Sequence, residues 1–197
     1  MLINQNSIAM DTQQQPTESQ NNTQQGNSFM KSAMTFGLIT GLVVVVYTLL
    51  LYMTDSYLTK NSFLGILQWV FIAIGIYWGI KSYRDQYEGG YITYGKSLGL
   101  GALISVFAGV IMGIFTYLLY VVIDPELMEK SIKLAQEEML RSGLSEERVA
   151  AATKLQQQFT SPIIMLISSV FSMAFFGTII SLVVSIFTKR EKPMFNQ

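Results

Sequence analysis

The sequence contains no cysteine and no histidine among its 197 residues. Without thiols the chain has no disulfide and no thiolate nucleophile, and without imidazole it lacks the usual zinc and haem ligands and the commonest general base. Charged residues are also scarce: they make up 13% of the chain, against about 25% in soluble proteins. We therefore expect no metal, no other cofactor and no enzymatic activity.

The charges that are present balance, with 13 basic and 13 acidic residues and a formal net charge of zero. No basic cluster is dense enough for nucleic acid, which excludes that class of partner. Hydrophobic residues make up 50% of the chain, and the mean hydropathy is +0.37. This composition indicates an integral membrane protein that has the lipid bilayer as its surroundings.

Long apolar runs define the predicted fold. Residues 97–123 contain no charged side chain, and as a helix they would be about 40 Å long, more than the ~30 Å hydrocarbon core of a bilayer. Three further apolar runs, at 32–53, 63–80 and 163–187, also contain no charged side chain, and polar segments join them. The sequence predicts an all-α membrane protein with four transmembrane helices in one domain, over residues 30–190.

Small residues recur at every fourth position of 97–123, along one helix face that lets a second backbone approach closely. The first two spans carry pairs with the same spacing, and we expect the fourth span to dock on the stripe. Ordinary helix packing is favoured over a dimerisation site. The candidate packing residues are Gly37, Gly41, Gly75, Gly79, Gly101, Ser105, Gly109, Gly113, Gly177 and Ser181. The small face predicted for the fourth span also includes Ser168, Ser169, Ser172 and Ser185.

The segments outside the spans are of several kinds. Residues 1–29 are rich in Gln and Asn and poor in apolar side chains, which predicts a disordered tail; residues 191–197 form a short C-terminal tail. The connection 81–96 combines tyrosines, cations and glycines, as expected at the headgroup level. Residues 125–160 read as an amphipathic helical hairpin whose first helix begins at Pro125, with Asp124 as its N-cap, and which turns at Gly143. We interpret its carboxylates as a solvated face rather than a metal site.

The distribution of basic residues predicts an orientation. Four spans place both termini and the 81–96 connection on one side of the membrane. Most basic residues close to span ends lie on that side, and they are Lys31, Lys81, Arg84, Lys96, Lys189, Arg190 and Lys192. The positive-inside rule then predicts a multi-pass protein of the inner (cytoplasmic) membrane, with both termini cytoplasmic and the hairpin outside.

Four short motifs follow one another in a recognisable order. They are GYITYG at residues 90–95, Asp124-Pro125, GLSEE at residues 143–147 and Ser161-Pro162. With four predicted spans around them, the chain resembles a bacterial membrane family named domain of unknown function 4199, over about residues 30–190. The resemblance implies an inner-membrane protein of bacteria and assigns no activity or functional residue.

The sequence favours a non-enzymatic accessory, scaffold or assembly component, which packs through small-residue faces onto other membrane proteins or onto copies of itself. The alternative is a subunit of a small transporter or channel. Such proteins usually keep ionisable residues within the bilayer, and the predicted spans have none. A membrane enzyme is a third possibility, and it would need its acids in the hairpin, such as Glu137, or in Asp85 and Glu88 beside Arg84.

Overall fold

The computed structural model describes the backbone of residues 5–54, 56, 62–158 and 161–191, and the side chains of 23–54, 56, 63–158, 161 and 163–191. The described chain is helical almost throughout. The helices are α1 (Gln5–Met53), α2 (Ser62–Tyr87), α3 (Tyr94–Leu118), α4 (Leu127–Arg141), α5 (Glu146–Gln158) and α6 (Pro162–Thr188). Four of them contain stretches long and apolar enough to cross a membrane, namely Thr23–Met53, Phe63–Tyr87, Tyr94–Ile123 and Ile163–Thr188.

These four helices form one bundle in which neighbouring segments of the chain run in opposite directions. Helix α3 is central, because it packs against α6, α1 and α2. The interior is filled with aliphatic side chains that are fully buried: Val44, Ile72, Ile76, Ile80, Leu100, Ile104 and Ala108. The part of α1 that contains Gln25 and Phe29, the end of α2, the beginning of α3 and the end of α6 meet at one end of the bundle.

Helix α1 differs from the prediction, because it begins at Gln5 and includes most of the segment for which the sequence predicts disorder. A helix is costly to nucleate and inexpensive to extend, and glutamine is a good helix former. The apolar half of α1 supplies the nucleus, so the polar half can continue it. Residues 1–4 lie outside the described part of the chain, as does the predicted C-terminal tail beyond Glu191.

Helix α2 is also longer than its predicted span of 63–80, since it continues through the polar residues 81–87 to Tyr87. None of these seven residues is Gly or Pro, so nothing in the segment breaks the helix. The helix stops at Gly89 and Gly90, whose φ angles of 60° and 87° are left-handed. The chain therefore turns at these two glycines, and the connection between the second and third spans is shorter than the predicted 81–96.

The ends of the next helices follow the sequence signals closely. The Thr93 hydroxyl accepts from the backbone N–H of Lys96 at the start of α3. At its other end α3 widens into a π-helical turn, Leu119–Ile123, in which the N–H of Asp124 donates to the carbonyl of Leu119. The Asp124 carboxylate then accepts from the N–H of Leu127 at 3.1 Å, and α4 begins at Leu127, two residues later than the predicted start at Pro125.

Helices α4 and α5 are joined through Gly143, which has a φ of 86°. They contact each other, and Gln136 Nε2 donates to Thr153 Oγ1 at 3.1 Å. Leu127 packs with Phe115 and Leu119 in a small cluster at the end of α3. The α4/α5 pair is thereby attached to the end of the bundle opposite to the α2–α3 turn.

Candidate functional site

The interface between α3 and α6 is built from small residues in antiparallel register. A Cβ atom built at Gly101 would overlap the Ser181 hydroxyl, and one at Gly177 would overlap the side chain of Ser105. The same relation holds one turn further along, where a Cβ at Gly109 would lie 2.9 Å from Met173 Cβ. Each step of four residues along α3 is thus matched by four residues back along α6, and the two backbones are in close contact.

The other packing candidates lie on the remaining helix contacts. Gly113 faces Ser169 of α6. Gly37 and Gly41 of α1 face α3, where a built Cβ would lie 2.5 Å from Phe107 Cβ and 2.8 Å from Ile111 Cβ respectively. On α2, Gly75 faces Thr40 and Gly79 faces Phe36 and Ile104. In the structure all ten candidate packing residues contact neighbouring helices of the same chain.

The face predicted for the fourth span is partly wrong. Ser168 and Ser172 are exposed, whereas Ser169, Met173, Gly177 and Ser181 lie toward α3. Neighbouring positions on a helix are separated by about 100° of rotation. A shift of one residue therefore moves Ser168 and Ser172 off the contact face.

A polar junction lies at the end of the bundle where the α2–α3 turn meets the end of α6. The chain reverses there because the N–H of Gly90 donates to the carbonyl of Arg84 at 3.0 Å, which closes the last turn of α2. Ile92 then pairs with Arg190 through two backbone hydrogen bonds of 2.9 and 3.0 Å. This pairing fixes the turn to the segment that follows α6.

The carboxylate of Glu88 is the centre of this junction. It accepts from Tyr83 Oη at 3.0 Å, from Gln25 Nε2 at 3.0 Å and from Lys96 Nζ at 2.5 Å. Its side chain is only 15% exposed. Burial alone would raise the pKa of Glu88, but the hydrogen bonds from Lys96 and Tyr83 hold it below its usual range. One ionised side chain thus joins α1, α2 and α3.

Arg84 is the second charge of the junction, and it is almost completely buried. Its Nε donates to Asp85 Oδ1 at 2.7 Å, and its Nη1 donates to the backbone carbonyl of Thr188 at 3.2 Å. That carbonyl belongs to the last turn of α6, where the helix itself offers no donor. Nearby, the hydroxyls of Ser97 and Thr188 share a hydrogen bond of 2.8 Å. The arginine therefore completes the C-terminal end of α6.

This arrangement is suited to holding helices together. Glu88 is ion-paired with Lys96 and Asp85 with Arg84, so the charges of the junction connect its helices to one another. Over the residues that the structure describes, no three acidic side chains converge as metal ligands. Sequence reasoning had grouped Asp85 and Glu88 with Arg84 but missed Gln25, because it treated the N-terminal segment as disordered.

Taken together, four apolar helices in one bundle define a multi-pass membrane protein. The model of the family described as protein of unknown function, DUF4199, matches residues 35–190. The chain belongs to this family, and the family resemblance inferred from the four motifs is confirmed. No curated protein and no solved structure matches the chain.

Proposed function

We propose that the protein is a non-enzymatic accessory, scaffold or assembly component of the inner (cytoplasmic) membrane. The observation that carries the proposal is how the bundle interior is filled. Aliphatic side chains occupy it, and the small-residue faces are turned toward one another within the chain. A transporter would normally keep ionisable side chains near the middle of the bilayer. In the described spans the charged side chains are Lys31, Lys81, Arg84, Asp85 and Lys96, and all of them lie outside the long apolar runs.

Because the small-residue faces are used internally, a protein partner has to bind elsewhere. The α4/α5 pair offers the best surface outside the hydrocarbon region. Leucines are exposed on it beside ion-paired charges, such as Lys133 with Glu129 at 2.7 Å. These exposed leucines are Leu134, Leu140, Leu144 and Leu155. Apolar side chains within a polar rim are typical of protein interfaces.

The orientation is part of the proposal. The junction end of the bundle carries the basic residues Lys81, Arg84, Lys96, Lys189 and Arg190, which favours the cytoplasmic side for that end. The α4/α5 pair at the opposite end would then lie outside the cytoplasm. Its charges nearly balance, so it adds little to the bias. We place the search for a partner on the outer side of the membrane.

Site-specific photo-crosslinking in native membranes tests the proposal. A photoreactive amino acid replaces Leu155, which is 60% exposed on α5, and in a second variant Leu144, which is also exposed. We expect both variants to give the same discrete protein adduct. Phe171 on α6 is 74% exposed in the apolar region and serves as the control that meets only lipid. Leu140→Asp should abolish the adduct. If neither the probe at Leu155 nor the probe at Leu144 captures a protein, the proposal is contradicted.

A subunit of a small transporter or channel is the second candidate. The hydroxyls of Thr40 and Ser185 are buried, and neither has a hydrogen-bond partner among the described residues. Unpaired buried hydroxyls are costly and can be satisfied by water, so they would suit a hydrated path. Flux assays in proteoliposomes distinguish the candidates: solute movement that is lost in both Thr40→Val and Ser185→Ala would establish the second and refute the first.

A further inference from the structure

A cleft lies between α1 and α2 on the outer surface of the bundle, close to the polar junction. Its volume is about 350 Å³. It is lined by Phe36, Trp78, Lys81, Ser82, Asp85 and Gln86. In α2 the apolar run ends at Ile80 and Lys81 is the first charged residue after it. The cleft therefore spans the level at which hydrocarbon gives way to headgroups, where tryptophan is typically found.

The two halves of the cleft have different chemistry. Trp78 is 64% exposed and forms the apolar half together with Phe36. In the polar half, Lys81 and Asp85 are four residues apart and therefore lie on the same face of α2. Lys81 forms no ion pair with another described residue. Asp85 uses Oδ1 for Arg84, and its side chain is 45% exposed, so its second oxygen is accessible.

We propose that this cleft binds the headgroup of a membrane phospholipid that carries a primary ammonium group. The Lys81 ammonium binds the lipid phosphate, and the free oxygen of Asp85 accepts a hydrogen bond from the lipid ammonium. Trp78 and Phe36 contact the glycerol and the upper part of the acyl chains. The cleft is near the lower end of the ~300–1,000 Å³ range of ligand pockets, which suits a headgroup rather than a whole lipid.

Charge complementarity selects this lipid class over the common alternatives. An anionic headgroup without an amine would satisfy Lys81 but would leave the second oxygen of Asp85 without a charged donor. A choline headgroup has no N–H to donate, so it would leave Asp85 without the charge-assisted hydrogen bond. A soluble phosphate compound would gain nothing from Trp78 and Phe36, which lie at the level of the lipid. The membrane itself is therefore the source of the ligand.

Tryptophan fluorescence quenching by brominated lipids provides the test. The chain has two tryptophans, and Trp69→Phe leaves Trp78 as the only reporter. The protein is reconstituted at a fixed ratio into vesicles that contain brominated phosphatidylethanolamine, phosphatidylglycerol or phosphatidylcholine. We expect apparent affinity for the ethanolamine lipid to exceed that for each of the others by about threefold, the size expected for one exposed ion pair.

Variants of the polar half test the assignment of each group. Lys81→Gln should weaken binding of both phosphatidylethanolamine and phosphatidylglycerol, while Asp85→Asn should weaken only the former. Lys154→Gln removes a cation from α5, far from the cleft, and should change nothing. Circular dichroism confirms that each variant is folded. Equal quenching by all three lipids would overturn the proposal, as would a preference for phosphatidylglycerol or a Lys81→Gln variant with unchanged lipid preference.

Discussion

The contact between Gly177 and Ser105 gives the sharpest prediction about the bundle. In Gly177→Ala the new Cβ would overlap the Cβ and hydroxyl of Ser105. Because a Cβ is fixed to the backbone, the overlap is relieved only by moving α6 away from α3, and overpacking of this kind costs about 1–3 kcal/mol. Alanine regains about 1 kcal/mol through its better helix propensity. We expect the free energy of unfolding to fall by about 1–2 kcal/mol, because an overlap this close should cost an amount near the upper end of the range for overpacking.

Unfolding by sodium dodecyl sulfate, followed by circular dichroism, measures the effect. Gly65→Ala is the matched control, because a Cβ at Gly65 meets nothing within 4 Å in the same kind of apolar helix; it should be neutral or stabilising. Adding Ser105→Gly to Gly177→Ala should restore stability, with a coupling free energy of about 1 kcal/mol or more. If Gly177→Ala is as stable as the wild type, or if Ser105→Gly fails to rescue it, the close α3–α6 contact is refuted.

Three further predictions concern the turns and the junction. Because the pKa of Glu88 is lower in the folded protein than in the unfolded chain, its stabilising contribution is complete above its ordinary pKa and is lost as the pH falls through the folded value. The difference in unfolding free energy between wild type and Glu88→Gln should therefore shrink in acid, and a constant difference would contradict this. Gly90→Ala forces a left-handed φ on alanine and should lower the free energy of unfolding by about 1–2 kcal/mol. In Gly95→Ala the new Cβ meets nothing within 4 Å, so this control should not be destabilised. Equal effects of the two changes on thermal unfolding would refute the strained turn. Asp124→Ala removes the acceptor for the N–H of Leu127 and should cost about 1 kcal/mol, with faster amide exchange in the first turn of α4; unchanged exchange would exclude the cap.

Much of the fold is visible in the sequence because the bilayer imposes strong constraints. A run such as 97–123 has few alternatives to a spanning helix. Local signals such as Asp124 and Gly143 then locate helix ends through hydrogen bonds and backbone angles that depend on neighbouring residues alone. The spacing of Gly101 and Ser105 also picks out the residues of α3 that contact α6, because that contact repeats with the helix period.

What the sequence could not provide depends on contacts between distant segments. The hydrogen bond from Gln25 to Glu88 joins residues 63 positions apart, and no local sequence pattern predicts it. The bond from Arg84 to the Thr188 carbonyl is of the same kind. The rotation of α6 about its axis, which exposes Ser168, is decided by how Met173 and the larger side chains pack against α3. These features emerge only when the helices are assembled.

The central claim is that the α4/α5 pair and the polar junction lie on opposite sides of the membrane, and we propose that the pair lies on the outer side. The absence of native cysteine makes this directly measurable. Ala151→Cys and Gln86→Cys place single thiols at exposed positions on α5 and at the junction end of α2. Intact cells are treated with a membrane-impermeant maleimide, and lysed cells show that both thiols can react. The account predicts that Ala151→Cys is labelled in intact cells and that Gln86→Cys is protected. Labelling of both would contradict the four-span arrangement, and the reverse pattern would contradict the proposed orientation.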